Sequence, residues 1–242
     1  MTLSEGLVIA AGSVTGRDHR RAGRDGQDGF ALLVGAKPDV VAAVVTDGCS
    51  SGRTSEVGAR LGAAWIATSI ETRFAAVKDE DGARTAAHRV VGDLVDRLRD
   101  LSATLGSSAQ VVGEMLLFGF LAAVVMNDVA IVFGVGDGIA SIDGAVTVID
   151  PGPENAPTYA AYALLGARIE PRVLFVGRAN VIAVATDGVD ARTLGELVID
   201  PRLDANASLL KKRMNVLFEE GRFDDDATVA LVRRRKRAES TS

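Results

Sequence analysis

Cysteine is almost absent from this chain of 242 residues: Cys49 stands alone, so no internal disulfide can form, and a reducing compartment is implied. Long hydrophobic runs are missing too. No apolar stretch reaches the roughly 18 to 20 residues that span a bilayer, and the N-terminus lacks the basic start and cleavage site of a secretory leader. A cytoplasmic protein with no membrane contact is therefore expected. Positive charge is in deficit, with 27 Lys and Arg against 32 Asp and Glu and a net charge of -5, which argues against nucleic acid as a partner. The one basic concentration, Arg233 to Arg237, runs into a polar end and reads as a solvated terminus. No Pro-, Gly- or Ser-rich linker divides the chain. One domain is expected over residues 1–235, followed by a basic and polar tail over 236–242. Cys49 has no Cys-x5-Arg anion loop around it, and no obvious Ser-His-Asp set is present.

What the chain has in quantity is apolar β-branched runs that stop at an aspartate. Val40 to Gly52 reads VVAAVVTDGCSSG. A run without polar interruption predicts a strand buried on both faces. Asp47 then sits at the strand end, where Gly48 lets the chain turn and brings its carbonyl close to whatever the aspartate binds. The phrase recurs: Val181 to Gly188 ends in Thr186-Asp187-Gly188, and Ala130 to Gly138 ends in Asp137-Gly138. A lone Asp-Gly is ordinarily a hairpin turn. Hairpins, however, join half-buried alternating strands, whereas Asp47 and Asp187 follow continuously apolar ones and lead toward helical patterns. Carboxylates gathered at a common sheet end repel one another, so such a cluster reads as a site for hard divalent cations.

The rest of the chain supplies the frame. Gly16 to Gly29 reads as a polar loop in which four arginines and His19 lie close to Gln27-Asp28. One or more of these cations can bind an anionic phosphoryl group approaching a metal held by Asp28. Thr54 to Val77 predicts a helix whose apolar face is Val57, Leu61, Ala64, Trp65, Thr68 and Ile70. A second helix carries Val91, Leu94, Val95, Leu98, Leu101 and Leu105 on one face. His88, at the start of that pattern, has no partner at metal-ligating spacing and reads as a surface residue. Met115 to Ile149 predicts short strands joined by three hairpin signals, Asn127-Asp128, Gly136 to Gly138 and Asp143-Gly144. Three in a row reject a doubly wound parallel sheet, and with it a receiver-like phosphotransferase. Strands are expected near Tyr159 to Leu165 and Arg172 to Val176, helices over Ala191 to Ile199 and Ala205 to Glu220, and a last strand after Asp224-Asp225-Asp226. This order fits an α+β fold, a four-layer α-β-β-α sandwich with two central, mainly antiparallel sheets whose acidic strand ends meet along one edge.

Taken in order, Gln27-Asp28, Asp47-Gly48, Gly136-Asp137-Gly138, Thr186-Asp187-Gly188 and Asp225-Asp226-Ala227-Thr228 resemble the motifs of the metal-dependent serine/threonine protein phosphatases of type 2C, the PPM family. Ser55-Glu56 followed by Gly58-Ala59 matches that family's first helix, and the likeness, closest to a divergent short bacterial branch, spans residues 16 to 232. The resemblance implies hydrolysis of phosphoserine and phosphothreonine on proteins that a Ser/Thr kinase has modified. It also implies two Mn2+ or Mg2+ ions, with Asp47 bridging them, Asp28 and the Gly48 carbonyl serving one, and Asp187 with Asp225 serving the other. A water shared by the ions is then the nucleophile. A third ion would draw on Asp137, Asp187 and Asp190. All these donors are oxygens, which suits Mn2+ or Mg2+ rather than zinc. Three features depart from the family pattern. Cys49 stands where many relatives have His or Met. Arg24 lies one residue nearer the Gln-Asp pair than the usual phosphate-binding arginine, so Arg20, Arg21 and Arg24 are rivals for that role, with Arg24 preferred. Phe118-Gly119-Phe120 lacks the usual small hydroxyl residue. The alternative these departures raise is a catalytically weak relative that binds a phosphorylated partner or acts as a scaffold; the retained aspartates favour the enzyme.

Overall fold

The structure, a computed structural model, describes residues 6–35, 40–153 and 156–235. Its frame is two five-stranded antiparallel sheets. The first runs β1 (Leu7–Val14), β10 (Ala227–Arg234), β9 (Val181–Ala185), β6 (Gly138–Ile142) and β7 (Ala145–Ile149). The second runs β2 (Gly29–Val34), β3 (Val40–Gly48), β4 (Phe118–Met126), β5 (Val129–Val135) and β8 (Arg172–Gly177). The apolar runs become strands because both of their faces are covered. In β3, Val41, Ala43 and Val45 pack against the other sheet beside Val184 and Ala230, while Val40, Ala42 and Val44 pack under helices α2 (Ser55–Phe74) and α3 (Glu80–Thr104). On the far side, α5 (Ala191–Val198) and α6 (Leu209–Glu219) cover the first sheet through Leu194, Leu197, Leu210 and Met214. Three apolar layers therefore separate four structural ones, the α-β-β-α order expected. Two short helices complete it: α1 (Arg17–Arg21), and α4 (Ala109–Val111), which runs into a π-helical turn over Val112–Leu116. Among the described residues no helix is long and apolar enough to cross a membrane. The tail expected over 236–242 lies outside the described residues.

Four expectations are corrected. Tyr159 to Leu165 is not a strand: Ala160–Leu165 forms a 3-10 helix that ends on Gly166 at a φ of 91°. Its sequence AAYALL has no β-branched residue, and alanine and leucine favour helical backbone. The α2 face is largely turned around. Gly58, Ala59, Gly62, Ala63 and Ile66 point inward, joined by the expected Ile70, while Val57 and Leu61 are each 38% exposed. The cause is close approach, since a Cβ on Gly62 would lie 2.2 Å from the Phe118 ring and one on Gly58 2.1 Å from the Met115 carbonyl oxygen. A helix drawn this near presents its smallest residues to the sheet and turns larger ones outward. Of the three hairpin signals, only Asn127-Asp128 and Asp143-Gly144 join paired neighbours. Gly136 to Gly138 instead carries the chain from one sheet to the other, with Gly136 and Gly138 at φ of 104° and 125°. Finally, the charged loop after β1 contains α1.

Candidate metal centre

The sheet crossing and the ends of β3, β9 and β10 converge on one cleft of about 130 Å³, lined by Asp47, Asp137, Asp187, Asp225 and Asp226 among others. Local chemistry fixes each strand end. Thr46 is buried, and its Oγ1 donates to the Ala59 carbonyl at 2.9 Å, tying the end of β3 to α2. Thr186 Oγ1 donates to Asp28 Oδ2 at 2.9 Å and accepts from the Thr228 backbone N–H at 3.0 Å, joining β9, β10 and the entry to β2. Gly48 has no room for a side chain, because a Cβ would come within 2.8 Å of both the Gln27 carbonyl oxygen and Ser55 Oγ. Gln27 then staples the loop after Asp47 by donating its amide to the carbonyls of Cys49 (3.2 Å) and Gly52 (2.9 Å) and to Ser55 Oγ (2.5 Å).

These carboxylates are held in a state that calls for a cation. Burial pushes Asp28 up to about 8, and repulsion from Asp226 and Asp187 adds to it against hydrogen bonds from Thr228 and Thr186. Asp47 is held well above the usual carboxylate range, first by burial and then by the charges of Asp28, Asp187 and Asp137. Burial and the neighbouring Asp187 raise Asp137 as well. Asp28 Oδ1 is buried with no hydrogen-bond partner. A lone pair left unsatisfied beside mutually repelling acids is a costly arrangement unless a positive ion fills it. The donors are hard oxygens, so the residues present fit Mg2+ or Mn2+.

The remaining expected residues divide. Asp225 lies in the cleft wall and accepts from the Asp226 backbone N–H at 2.8 Å. Asp190 is not part of the wall. It caps α5, its two oxygens accepting from Thr193 N–H (2.8 Å) and Thr193 Oγ1 (2.7 Å), bonds that outweigh burial and hold it below its ordinary value. Arg24 is exposed and donates to the Gly52 carbonyl at 3.2 Å. Neither it, Arg20 nor Arg21 lines the cleft.

Asp226 and Tyr159 had no role assigned from sequence, and His19 had only a share in the phosphate binding expected of the basic loop. Asp226 is buried and accepts from the Gly16 N–H (2.7 Å), the Gln27 N–H (2.5 Å) and His19 Nδ1 (2.8 Å). It is a clamp on the β1–β2 connection rather than a free ligand. His19 lines the cleft through that contact. Tyr159 caps the 3-10 helix from its N-terminal side and meets Cys49. Burial pushes the Cys49 thiol up, but hydrogen bonds from Ser51, Tyr159 and nearby backbone N–H groups bring it below its ordinary value, while burial and Cys49 push Tyr159 up. Asp226 left a sequence signal in the acidic run before β10 and His19 one in the basic loop beside Gln27-Asp28; the contacts themselves join residues that sequence spacing cannot relate.

The fold is thus a two-sheet sandwich whose strand ends gather carboxylates at one cleft. The sequence profile of the family described as Protein phosphatase 2C matches residues 15–225. The chain belongs to that family, a class of protein-serine/threonine phosphatases. Among solved structures it is similar to a bacterial serine phosphatase, with a TM-score of 0.69, 14% identity and coverage of 95% of this chain and 98% of that one. It is also similar to the serine/threonine phosphatase Stp1 from Staphylococcus aureus (TM-score 0.67, 16% identity, coverage 95% and 96%). A third likeness is to the Mycobacterium tuberculosis serine/threonine phosphatase PstP/Ppp (TM-score 0.60, 14% identity, coverage 95% and 99%). No curated protein matches the chain.

Proposed function

We propose that the protein removes phosphate from phosphoserine and phosphothreonine on proteins that a Ser/Thr kinase has modified, using two divalent cations, Mn2+ or Mg2+. The observation that carries this reading is the unpartnered, buried Asp28 Oδ1 among carboxylates raised by burial and by one another. Asp28 and the Gly48 carbonyl would hold one ion, Asp187 and Asp225 the other, and Asp47, which feels Asp28, Asp187 and Asp137 at once, would bridge them. When bound, the ions supply Lewis acidity toward phosphoryl oxygens and a water that ionises near neutral pH. The protein's own part is to fix the oxygen donors on strand ends braced by Thr46, Thr186 and Gln27. For a third ion, Asp137 and Asp187 remain suitable, whereas Asp190 already spends both oxygens on Thr193. A cytoplasmic site of action fits the lone Cys49. Hydrolysis of a phosphoserine peptide should require Mn2+ or Mg2+, stop on chelation and return when metal is restored. Turnover that survives exhaustive chelation refutes the reading.

A further inference from the structure

We propose that His19, rather than any arginine of the charged loop, is the side chain that holds the substrate's phosphoryl group. This rests on the phosphatase reading above. Among the described residues lining the acidic cleft, His19 is the only basic one. The arginines around it are engaged elsewhere. The Arg20 guanidinium lies 4.0 Å over the Phe218 ring, and Arg17 lies over the same ring at 5.9 Å and donates to the Phe218 carbonyl at 3.5 Å. Arg21 pairs with Asp18 at 3.3 Å, and Arg24 donates to Gly52.

The setting of His19 is that of an oriented donor. Its Nδ1 lies 2.8 Å from Asp226 Oδ2, and Asp226 is itself held by the backbone N–H groups of Gly16 and Gln27. A carboxylate fixed by two N–H donors acts as an acceptor, so Nδ1 is the donating nitrogen and the ring is locked. The side chain is 13% exposed, and among the described residues Nε2 has no hydrogen-bond partner and is not a buried unpartnered atom, which leaves it open in the cleft wall. Nε2 is then the ring position that meets a phosphoryl oxygen beside the ions, a single contact where a guanidinium would have offered a fork. Asp225 also approaches His19 and Asp226, with ligand atoms of the three within 4.8 Å of one another. Metal ligation by His19 is thus the competing role.

The test is His19→Asn in the Mn2+-loaded protein, because the asparagine amide can still donate to Asp226 while Nε2 is removed. His19→Ala, with added imidazole, serves as the second variant. Calorimetry with inorganic phosphate should show affinity lost by about tenfold or more, the scale of one charged hydrogen bond, and KM for a phosphoserine peptide should rise more than kcat falls. Mn2+ affinity should match the wild type, imidazole should restore part of the phosphate affinity to His19→Ala, and Arg24→Ala should bind phosphate as the wild type does. Unaltered phosphate affinity in both His19 variants overturns the proposal. So does a parallel loss of Mn2+ affinity, which makes His19 a metal ligand, or a loss that appears in Arg24→Ala instead. A wild-type protein that binds phosphate through His19 yet releases none from the peptide sinks the phosphatase reading alone.

Discussion

The aspartates of the cleft and those on the outside of the molecule are the same residue in opposite circumstances. At the α2–α3 seam, Asp93 accepts from Arg73 at 2.8 and 2.6 Å and from Ser69, and these partners hold it below the usual carboxylate range. Beyond α5, the side chain and backbone of Arg202 bring Asp200 down to about 2. At the cleft, by contrast, burial and neighbouring carboxylates raise Asp47 and Asp137 in the wall and the buried Asp28 beside Asp47, and no arginine is among the described residues lining it. The outer acids gain from being charged in the fold. The inner acids are tolerated by it, and a ligand of opposite sign would relieve them.

The largest break in this contrast should come from Asp47→Asn. Removing the charge at the centre of the cluster is expected to cost both ions and lower turnover by orders of magnitude, while the metal-free protein melts at the same temperature or higher. Metal titration and thermal melting check both halves; full Mn2+ binding with near-normal turnover would show that Asp47 does not bridge. Asp187→Asn should weaken chiefly one of the two ions, visible as the loss of one step in the same titration.

A change of pH sharpens the contrast next. A carboxylate whose folded value lies above its unfolded one binds its proton more tightly in the native state, so its stability contribution is present at low pH and declines as pH rises. For Asp28 that window runs from the ordinary value of 3.8 to about 8. The melting temperature of chelated protein should therefore fall between pH 5 and pH 8, and saturating Mn2+ should reverse the slope. A chelated protein as stable at pH 8 as at pH 5 would contradict the raised carboxylates.

Asp93→Asn should do the least damage. The lowered Asp93 has the opposite sign, contributing above its unfolded value and losing that contribution as pH falls. Its Arg73 partner is exposed, so the loss at neutral pH should be no more than a few degrees in Tm, with Mn2+ affinity unchanged. A loss of metal in this variant would mean that the two populations of aspartate are coupled.

Runs such as VVAAVVTDG and VIAVATDG were legible because a strand covered on both sides needs no polar residue until it leaves the sheet, and the first acid marks that exit. The antiparallel order, the layers and the five motifs follow from such local signals. What failed was non-local. Gly58 and Gly62 interrupt the apolar pattern of α2, yet they mark where Met115 and Phe118 come too close for a Cβ. Arg20 in sequence is a cation near Gln27-Asp28, but in space it has found Phe218. His19 and Asp226 are 207 residues apart, and no spacing rule joins them. Asp190 is a third-ion candidate only through the family resemblance, and the start of α5 claims it first.

The clamp at Asp226 bears on how the protein is made. It grips Gly16 from 210 positions away, and β10 completes its sheet by pairing with β1 on one side and β9 on the other. A ribosome adds roughly 5 to 20 residues each second, so for most of its synthesis the growing chain holds its first acids without the strand that gathers them. The cleft is completed only on the arrival of Asp225, Asp226 and β10. Until then the candidate centre is incomplete, and a proteolytic cut ahead of Asp225 should abolish Mn2+-dependent turnover while leaving α2, α3 and their sheet folded.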